Sequence, residues 1–370
     1  MAGMATETIS FARGAPSADI LPAEAVREAA ARALDSDWQR ALSYGLGPGH
    51  PGLCEWIATE LHGIEPARVM ATNGSLEAGA MLFEQLIEKG DRVIVEQPTY
   101  DRTLLLLQRL GAEIVPVPLE DDGIDVAALE AALGHGPVKL AHIIPNFHNP
   151  AGCTLSAEKR TRIIELAAEH EFTVFEDDPY RLVRFGAEPP ATMLSLDSAD
   201  RVVHASSFSK TVSPGVRVGY LAGPGELIAT LAKRANGLYI SPNMLAESIV
   251  LELCTSGALD ANVKTVNAEL GKRCETLVSS LRERLPEAKF VVPEGGYFLW
   301  LELEDDVDTA SLLADAKAEG VTFVAGPDFM GSESSLRLSF APVRVDQIDE
   351  GIARLATALE RTRSASPAKA

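Results

Sequence analysis

RVVHASSFSKTVSPGVRVGYLAG (201–223) is two apolar runs around a polar turn. RVVHASSF (201–208) and VRVGYLAG (216–223) read as strands. Lys210 stands just past the first, among Ser206, Ser207 and Ser209, with Arg217 seven residues on. A strand-end turn is an unusual place for lysine unless its amine is used. That amine can form a Schiff base with a carbonyl once it has lost its proton, which desolvation and a nearby cation both favour. Arg217 can supply the cation and can also clamp a phosphate with two parallel hydrogen bonds. A lone lysine is most often a solvated surface residue, so this reading depends on what lies around it.

Outward from this stretch, short apolar runs alternate with amphipathic ones. Helices are expected over 76–89, 100–111, 126–134 and 156–171, and strands over 92–97, 112–119, 138–146 and 172–178. Strands alternating with helices imply parallel pairing through right-handed crossovers. Continuous apolar runs such as VIV (93–95) suit a sheet covered on both faces. After about residue 245 the texture changes. Long helical stretches precede the strands KFVVP (289–293), GYFLWLEL (296–303) and SLRLSFA (335–341), and the helix 345–363 follows, which reads as a smaller α+β domain. The expected division is a large domain over 46–244, with 1–45 as an N-terminal arm and 245–370 as the small domain.

Ligands of open α/β sheets sit at the carboxyl ends of the strands, and polar groups gather there. FEDDPY (175–180) puts two acids after an apolar strand, and one of them can pair with a protonated ring nitrogen. In NFHNPAG (146–152), Asn149 precedes a proline and is held out of the helical region, so its amide can point into a cleft. In TNGSLEAG (72–79), Gly74 and Ser75 open a helix whose free N–H groups and dipole make an anion cup. Tyr100, at the end of EQPTY (96–100), can stack on a flat ring. Singly, each is matched by an ordinary turn or helix cap.

The 370 residues carry 33 Lys+Arg and 53 Asp+Glu, a net charge of −20. That balance opposes binding to nucleic-acid phosphates or anionic lipid. No run of about 18 apolar residues suggests a membrane span, and MAGMATETISFARGAPSADILP (1–22) does not read as a secretory signal. Cys54, Cys153, Cys254 and Cys274 form no C-x-x-C pair and suit idle thiols in a reducing cytoplasm. GPGHPG (47–52) fits a dinucleotide fingerprint in letters only, since no clear strand precedes it and no acid lies about 20 residues on. Serine-hydrolase, zincin and P-loop patterns are absent. The tail SASPAKA (364–370) is expected to fray.

In combination, N-G-S, N-P-x-G, E-D-D-P-Y, S-F-S-K…R-V-G and L-R-L-S-F (336–340) resemble the fold-type I pyridoxal-phosphate (PLP) enzymes. The chain looks most like the class I/II aminotransferases of the 2-aminoadipate/kynurenine branch, which is shared with the aminotransferase-like half of MocR regulators. The resemblance runs from SFARGAPSADILP (10–22) to LRLSFAP (336–342). It implies a mostly parallel seven-stranded sheet sandwiched by helices, a smaller α+β domain, and a cytoplasmic homodimer that shares its active sites. It also implies transfer of an amino group between an L-amino acid and a 2-oxo acid by a ping-pong mechanism. A β-lyase, an oxygen-dependent oxidase or a non-catalytic PLP sensor on the same scaffold are the alternatives. About 70 residues precede N-G-S, so a DNA-binding domain ahead of it is not expected.

The resemblance also implies roles. Lys210 matches the PLP-binding lysine and proton-transfer base, Asp177 the acid on the pyridine nitrogen, and Tyr180 and Asn149 the partners of the phenolate oxygen. Tyr100 matches the ring-stacking aromatic. Gly74, Ser75, Leu76, Ser207, Ser209 and Arg217 match the phosphate cup. Arg337 matches the grip on the substrate α-carboxylate, Gly14 lies in the covering segment, and Tyr44 resembles a tyrosine contributed across the dimer. Catalysis would fall to Lys210, Asp177 and Tyr180. Arg13 is a candidate for an acidic substrate side chain. Leu76-Glu77 departs from a pattern in which Gln is common, with Glu77 expected to point away along the helix.

Overall fold

A computed structural model describes residues 8–365. In chain order its strands are β1 (Ile9–Ser10), β2 (Val69–Thr72), β3 (Arg92–Gln97), β4 (Glu113–Glu120), β5 (Gly123–Ile124), β6 (Leu140–Ile143), β7 (Thr173–Asp177), β8 (Val202–Ser207), β9 (Gly219–Ala222), β10 (Phe298–Glu302), β11 (Val321–Thr322), β12 (Val324–Ala325) and β13 (Ser335–Ser339). The large sheet runs β2-β9-β8-β7-β6-β3-β4-β5. The pairs from β8 through β4 are parallel, while β9 is antiparallel to both its neighbours. This is the expected sheet with one addition: an eighth strand, β5, folds two residues back on β4 at the edge.

The apolar runs explain the layering. Successive side chains of a strand face opposite ways. In β3, Ile94 joins the core on one face while Val93 and Val95 join the core on the other. Both faces are therefore dry, and the sheet is sealed by helices. Helix Met244–Thr255 buries Ala246, Val250 and Leu253 in the first of these cores, whereas helix Ala258–Arg284 sends Leu270, Cys274 and Leu277 into a separate core beneath β10 and β13.

Three expectations shift. β2 is an addition to the strands expected from the sequence: VMAT offers only four residues, too short a run to show a period of its own. KFVVP makes only one bridge, Lys289 to Glu302. VRVGYLAG becomes strand only at Gly219, because Pro214–Val216 is a tight helical turn and Arg217 takes φ +51°. Arg217 thus stays in the turn, free to reach across it. Among the described residues no helix is long and apolar enough to cross a membrane.

The N-terminal arm is stitched into the small domain. β1 pairs in parallel with β11, and the Ser339 N–H donates to the Phe11 carbonyl at 2.8 Å. Arg273, 1% exposed, donates to Ser17 Oγ (2.7 Å), Asp19 Oδ2 (2.6 Å) and the Ala341 carbonyl. Replacing it strands a buried carbonyl and frees the arm. Arg273→Met is expected to lower the unfolding free energy by about 1–3 kcal/mol, the usual cost of orphaning buried partners, measured by urea denaturation; an unchanged midpoint would contradict this account of the arm.

Candidate functional site

The strand ends open onto a cleft of about 450 Å³ between the large sheet, the arm and the small domain. It is lined by Gly14, Ser75, Leu76, Tyr100, Asn149, Asp177, Tyr180, Ser207, Ser209, Lys210, Arg217 and Arg337. Of the residues singled out from the sequence, Gly74 lies just behind this wall, and Tyr44 and Arg13 lie apart.

Lys210 follows β8. Its Nζ donates to the Gly14 carbonyl at 2.9 Å and lies 5.5 Å and 5.1 Å from the ring centres of Tyr180 and Tyr297. Burial pulls its pKa down to about 8, with the cations of Arg337 and Arg217 adding to the effect and Asp177 opposing it.

Asp177 ends β7 and Asp178 follows it, so the pleat turns them to opposite faces. Asp177 faces the cleft. Its Oδ2 lies 3.5 Å from His142 Nε2, and its Oδ1 is buried with no partner. Asp178 is fully buried away from the cleft and accepts from Asn146 Nδ2 at 2.6 Å. Burial raises its pKa to about 6. The D-x-x-Y spacing therefore points to the acid that the cleft uses.

At one end the anion cup is assembled around Gly74, whose φ is +97°. A Cβ there would stand 2.3 Å from Arg217 Nη2, so only glycine lets the guanidinium lie across the turn. Arg217 Nη2 donates to the Asn73 carbonyl at 2.8 Å, and Nη1 reaches toward Ser209 Oγ at 3.5 Å. The Ser209 N–H donates to Ser207 Oγ at 3.1 Å. Glu77 does not run out along its helix as expected. It folds back, and its carboxylate accepts from the Asn73 N–H at 2.7 Å and from Asn73 Nδ2, just ahead of the helix cap at Gly74.

At the other end stands Arg337, on β13. Its guanidinium is sandwiched between Phe298 and Phe329, 4.3 Å and 4.6 Å from their ring centres. Nη1 donates to Asn149 Oδ1 (2.9 Å) and Nη2 to the Ala12 carbonyl (2.8 Å), while Nε is buried without a partner. Burial lowers its pKa to about 10, so it stays cationic at neutral pH. Asn149 is presented by a turn that His148 braces. The Ala151 N–H donates to His148 Nδ1, which leaves Nε2 to donate to the buried Glu96 at 3.0 Å. Tyr100 lines the cleft where helix Asp101–Leu110 begins, and burial raises its hydroxyl pKa to about 12.

Two candidates stand elsewhere. Tyr44 is 83% exposed, beside Tyr239 and Ser241, and does not reach the cleft of its own chain. Arg13 is exposed and does not line the cleft. The sequence reading passed over His142, the Glu96–His148 pair, and Phe298 and Phe329. His142 carried a signal, a polar residue within the apolar run of 138–146. The two phenylalanines carried none, since core and site aromatics look alike in sequence.

The cleft thus joins an anion cup, a carboxylate with a spare buried oxygen, an amine near neutrality and a planar cation for a carboxylate. The family described as "Aminotransferase class I and II" matches residues 6–355. The aromatic-amino-acid aminotransferase 1 of Thermococcus litoralis is 31% identical over 369 residues, 96% of this chain and 88% of that one. The 2-aminoadipate transaminase of Thermus thermophilus is 31% identical, covering 95% and 90%. The solved kynurenine aminotransferase of Pyrococcus horikoshii, in complex with PMP, superposes with a TM-score of 0.93 at 30% identity, covering 98% of this chain and 93% of that one. The chain belongs to the class I and II aminotransferases, PLP-dependent enzymes that exchange the amino group of an amino acid with a 2-oxo acid.

Proposed function

We propose that Lys210 is the residue that binds PLP and then moves the substrate proton. The observation that carries this reading is the place of its amine, between the anion cup around Arg217 and the guanidinium of Arg337, with a pKa already near neutrality. The residues fit the cofactor. Asp177 has a buried oxygen in want of a donor, which a protonated pyridine nitrogen supplies. The glycine turn at Gly74, with Ser75, Leu76, Ser207, Ser209 and Arg217, offers donors and positive charge for a phosphate. When bound, PLP supplies a carbonyl for an amine and a ring that takes up the electron pair left by the departing α-proton.

Every other task falls to the protein. Asp177 would hold the ring nitrogen through its unpartnered Oδ1, and His142 stands 3.5 Å from its second oxygen. Tyr100, Tyr180 and Asn149 line the cleft; Tyr100 would cover a face of the ring, and Tyr180 and Asn149 would hold its phenolate oxygen. Arg337 receives the α-carboxylate on a planar fork that its two phenylalanines keep from turning. Lys210 takes the α-proton as general base. Four buried free cysteines are compatible with a cytoplasmic enzyme.

Three outcomes test the reading. The amine must be neutral to attack a carbonyl, and it loses its proton as pH rises through its pKa. Capture of PLP by cofactor-free protein should therefore speed up with a midpoint near pH 8, and Arg337→Met, by removing a cation, should move that midpoint upward. A midpoint near 10.5, the ordinary lysine value, would refute the site's electrostatics.

Arg337→Lys keeps the charge and loses the fork. It should cost roughly 2–4 kcal/mol of transition-state stabilisation, or roughly 30- to 1000-fold in kcat/KM for amino acids, with PLP still bound. The same preparations, given an amino acid without oxo acid, should yield stoichiometric pyridoxamine phosphate and 2-oxo acid under both air and argon. Ammonia with many turnovers would point to a lyase, and peroxide to an oxidase.

We further propose a homodimer in which Tyr44 completes the partner's site, since it is exposed and remote from its own. Tyr44→Ala and Lys210→Ala should each be impaired alone. Mixed and re-associated at random, they should regain about a quarter of wild-type activity, because half the dimers then hold one intact site of two. No recovery would mean that Tyr44 serves its own chain or none.

A further inference from the structure

We propose that Glu77 is a positioning residue of the phosphate cup: it fixes the turn on which Arg217 is aimed. This rests on the reading that the cup takes the PLP phosphate. Glu77 does not line the cleft. It acts through Asn73, the residue that links it to Arg217. Its Oε2 accepts from the Asn73 backbone N–H at 2.7 Å and from Nδ2 at 3.0 Å, and its Oε1 accepts from Nδ2 at 3.1 Å. Asn73 passes this on in two directions. Its carbonyl accepts from Arg217 Nη2 at 2.8 Å, and its Oδ1 accepts from the Asn243 N–H at 3.2 Å. Thr72 Oγ1 donates to the Gly74 carbonyl at 3.2 Å. Glu77 thus ties the peptide unit before Asn73, Thr72 ties the one after Gly74, and Arg217 rests on the unit between them.

The arrangement has a physical logic. Gly74, at φ +97°, and Arg217, at φ +51°, both occupy backbone regions that need outside support. A glycine turn would otherwise sample many conformations. A capping-box acid ordinarily returns to the N–H of the cap residue. Here the cap is Gly74, and Glu77 reaches one residue further back to Asn73. It takes the donor that a bound phosphate does not need and leaves the Gly74 N–H to the cup. A carboxylate suits this position because it only accepts. Its charge would also act on a phosphate held in the cup, so its net effect is a contest between clamp and repulsion. Three hydrogen bonds, each charge-assisted, set against the screened field of one anion at the rim, favour the clamp.

PLP and pyridoxal, which lacks the phosphate, should be titrated into the full-length cofactor-free protein, with fold checked by circular dichroism. Glu77→Met keeps length and helix propensity and removes the acceptors; Glu77→Gln keeps one acceptor and removes the charge. The clamp predicts PLP binding at least tenfold weaker in Glu77→Met and only a few-fold weaker in Glu77→Gln, with pyridoxal nearly unchanged in both. Equal losses for PLP and pyridoxal, unchanged PLP binding in Glu77→Met, or tighter PLP binding in either variant would overturn it. Arg217→Met in the same titration separates the two readings. If it loses PLP selectively and Glu77→Met does not, only the clamp is wrong; if it too spares PLP, the cup itself is wrong. Should Glu77→Met not fold, Glu77→Gln decides, since tighter PLP binding there would mean repulsion wins.

Discussion

A single amine held away from water between two guanidinium groups is the constraint on which the rest of this structure depends. Arg217 and Arg337 are both needed, one at each end of the cleft, and Lys210 lies between them. Together with burial they disfavour its proton. Asp177 opposes them, so the amine settles near neutrality. Such a balance requires fixed distances, because charge interactions in a dry cleft change steeply with separation. Much of the surrounding architecture serves to hold those three charges still.

Each arginine is held in a different way. Arg337 sits on a strand, between two phenylalanine faces, with Asn149 and the Ala12 carbonyl taking its N–H groups. One nitrogen, Nε, is buried and unsatisfied. Arg217 lies on a turn and depends on backbone: a glycine that leaves room for it and a carbonyl that Glu77 steadies. The first is rigid through packing, the second through hydrogen bonds. The arm unites the ends, since its carbonyls at Ala12 and Gly14 receive Arg337 and Lys210 in turn.

Buried polar pairs outside the cleft do comparable work. Glu96 and His148 lie under the turn that bears Asn149. Arg160, with no exposed surface, ties the Leu155 and Pro145 carbonyls to Asn146 Oδ1, and Asn146 in turn holds Asp178. Charged groups this deep are tolerated only when paired and hydrogen-bonded. They keep the strand ends in register while the cleft itself retains unsatisfied atoms.

Much of this was legible in residue order. Alternating apolar and amphipathic runs announce a parallel sheet with two dry faces, because pleat and helix periods are properties of short segments. Lys210, Asp177, Asn149, Gly74 and Arg217 stand at strand ends and turns, where local chemistry exposes them. Other features depend on distance in space. KFVVP has the composition of a strand, yet it meets β10 at a single bridge, to Glu302. Phe298 and Phe329 become the sides of a guanidinium slot only when β10 and the turn after β12 converge on Arg337. Glu77 reads as an acid on a helix until its carboxylate is seen to close back on Asn73. Residue order sets which groups are available and which segment period they follow; only the tertiary fold decides which of them meet, because a contact across 188 residues, such as Arg337 to Asn149, leaves no trace in the local pattern.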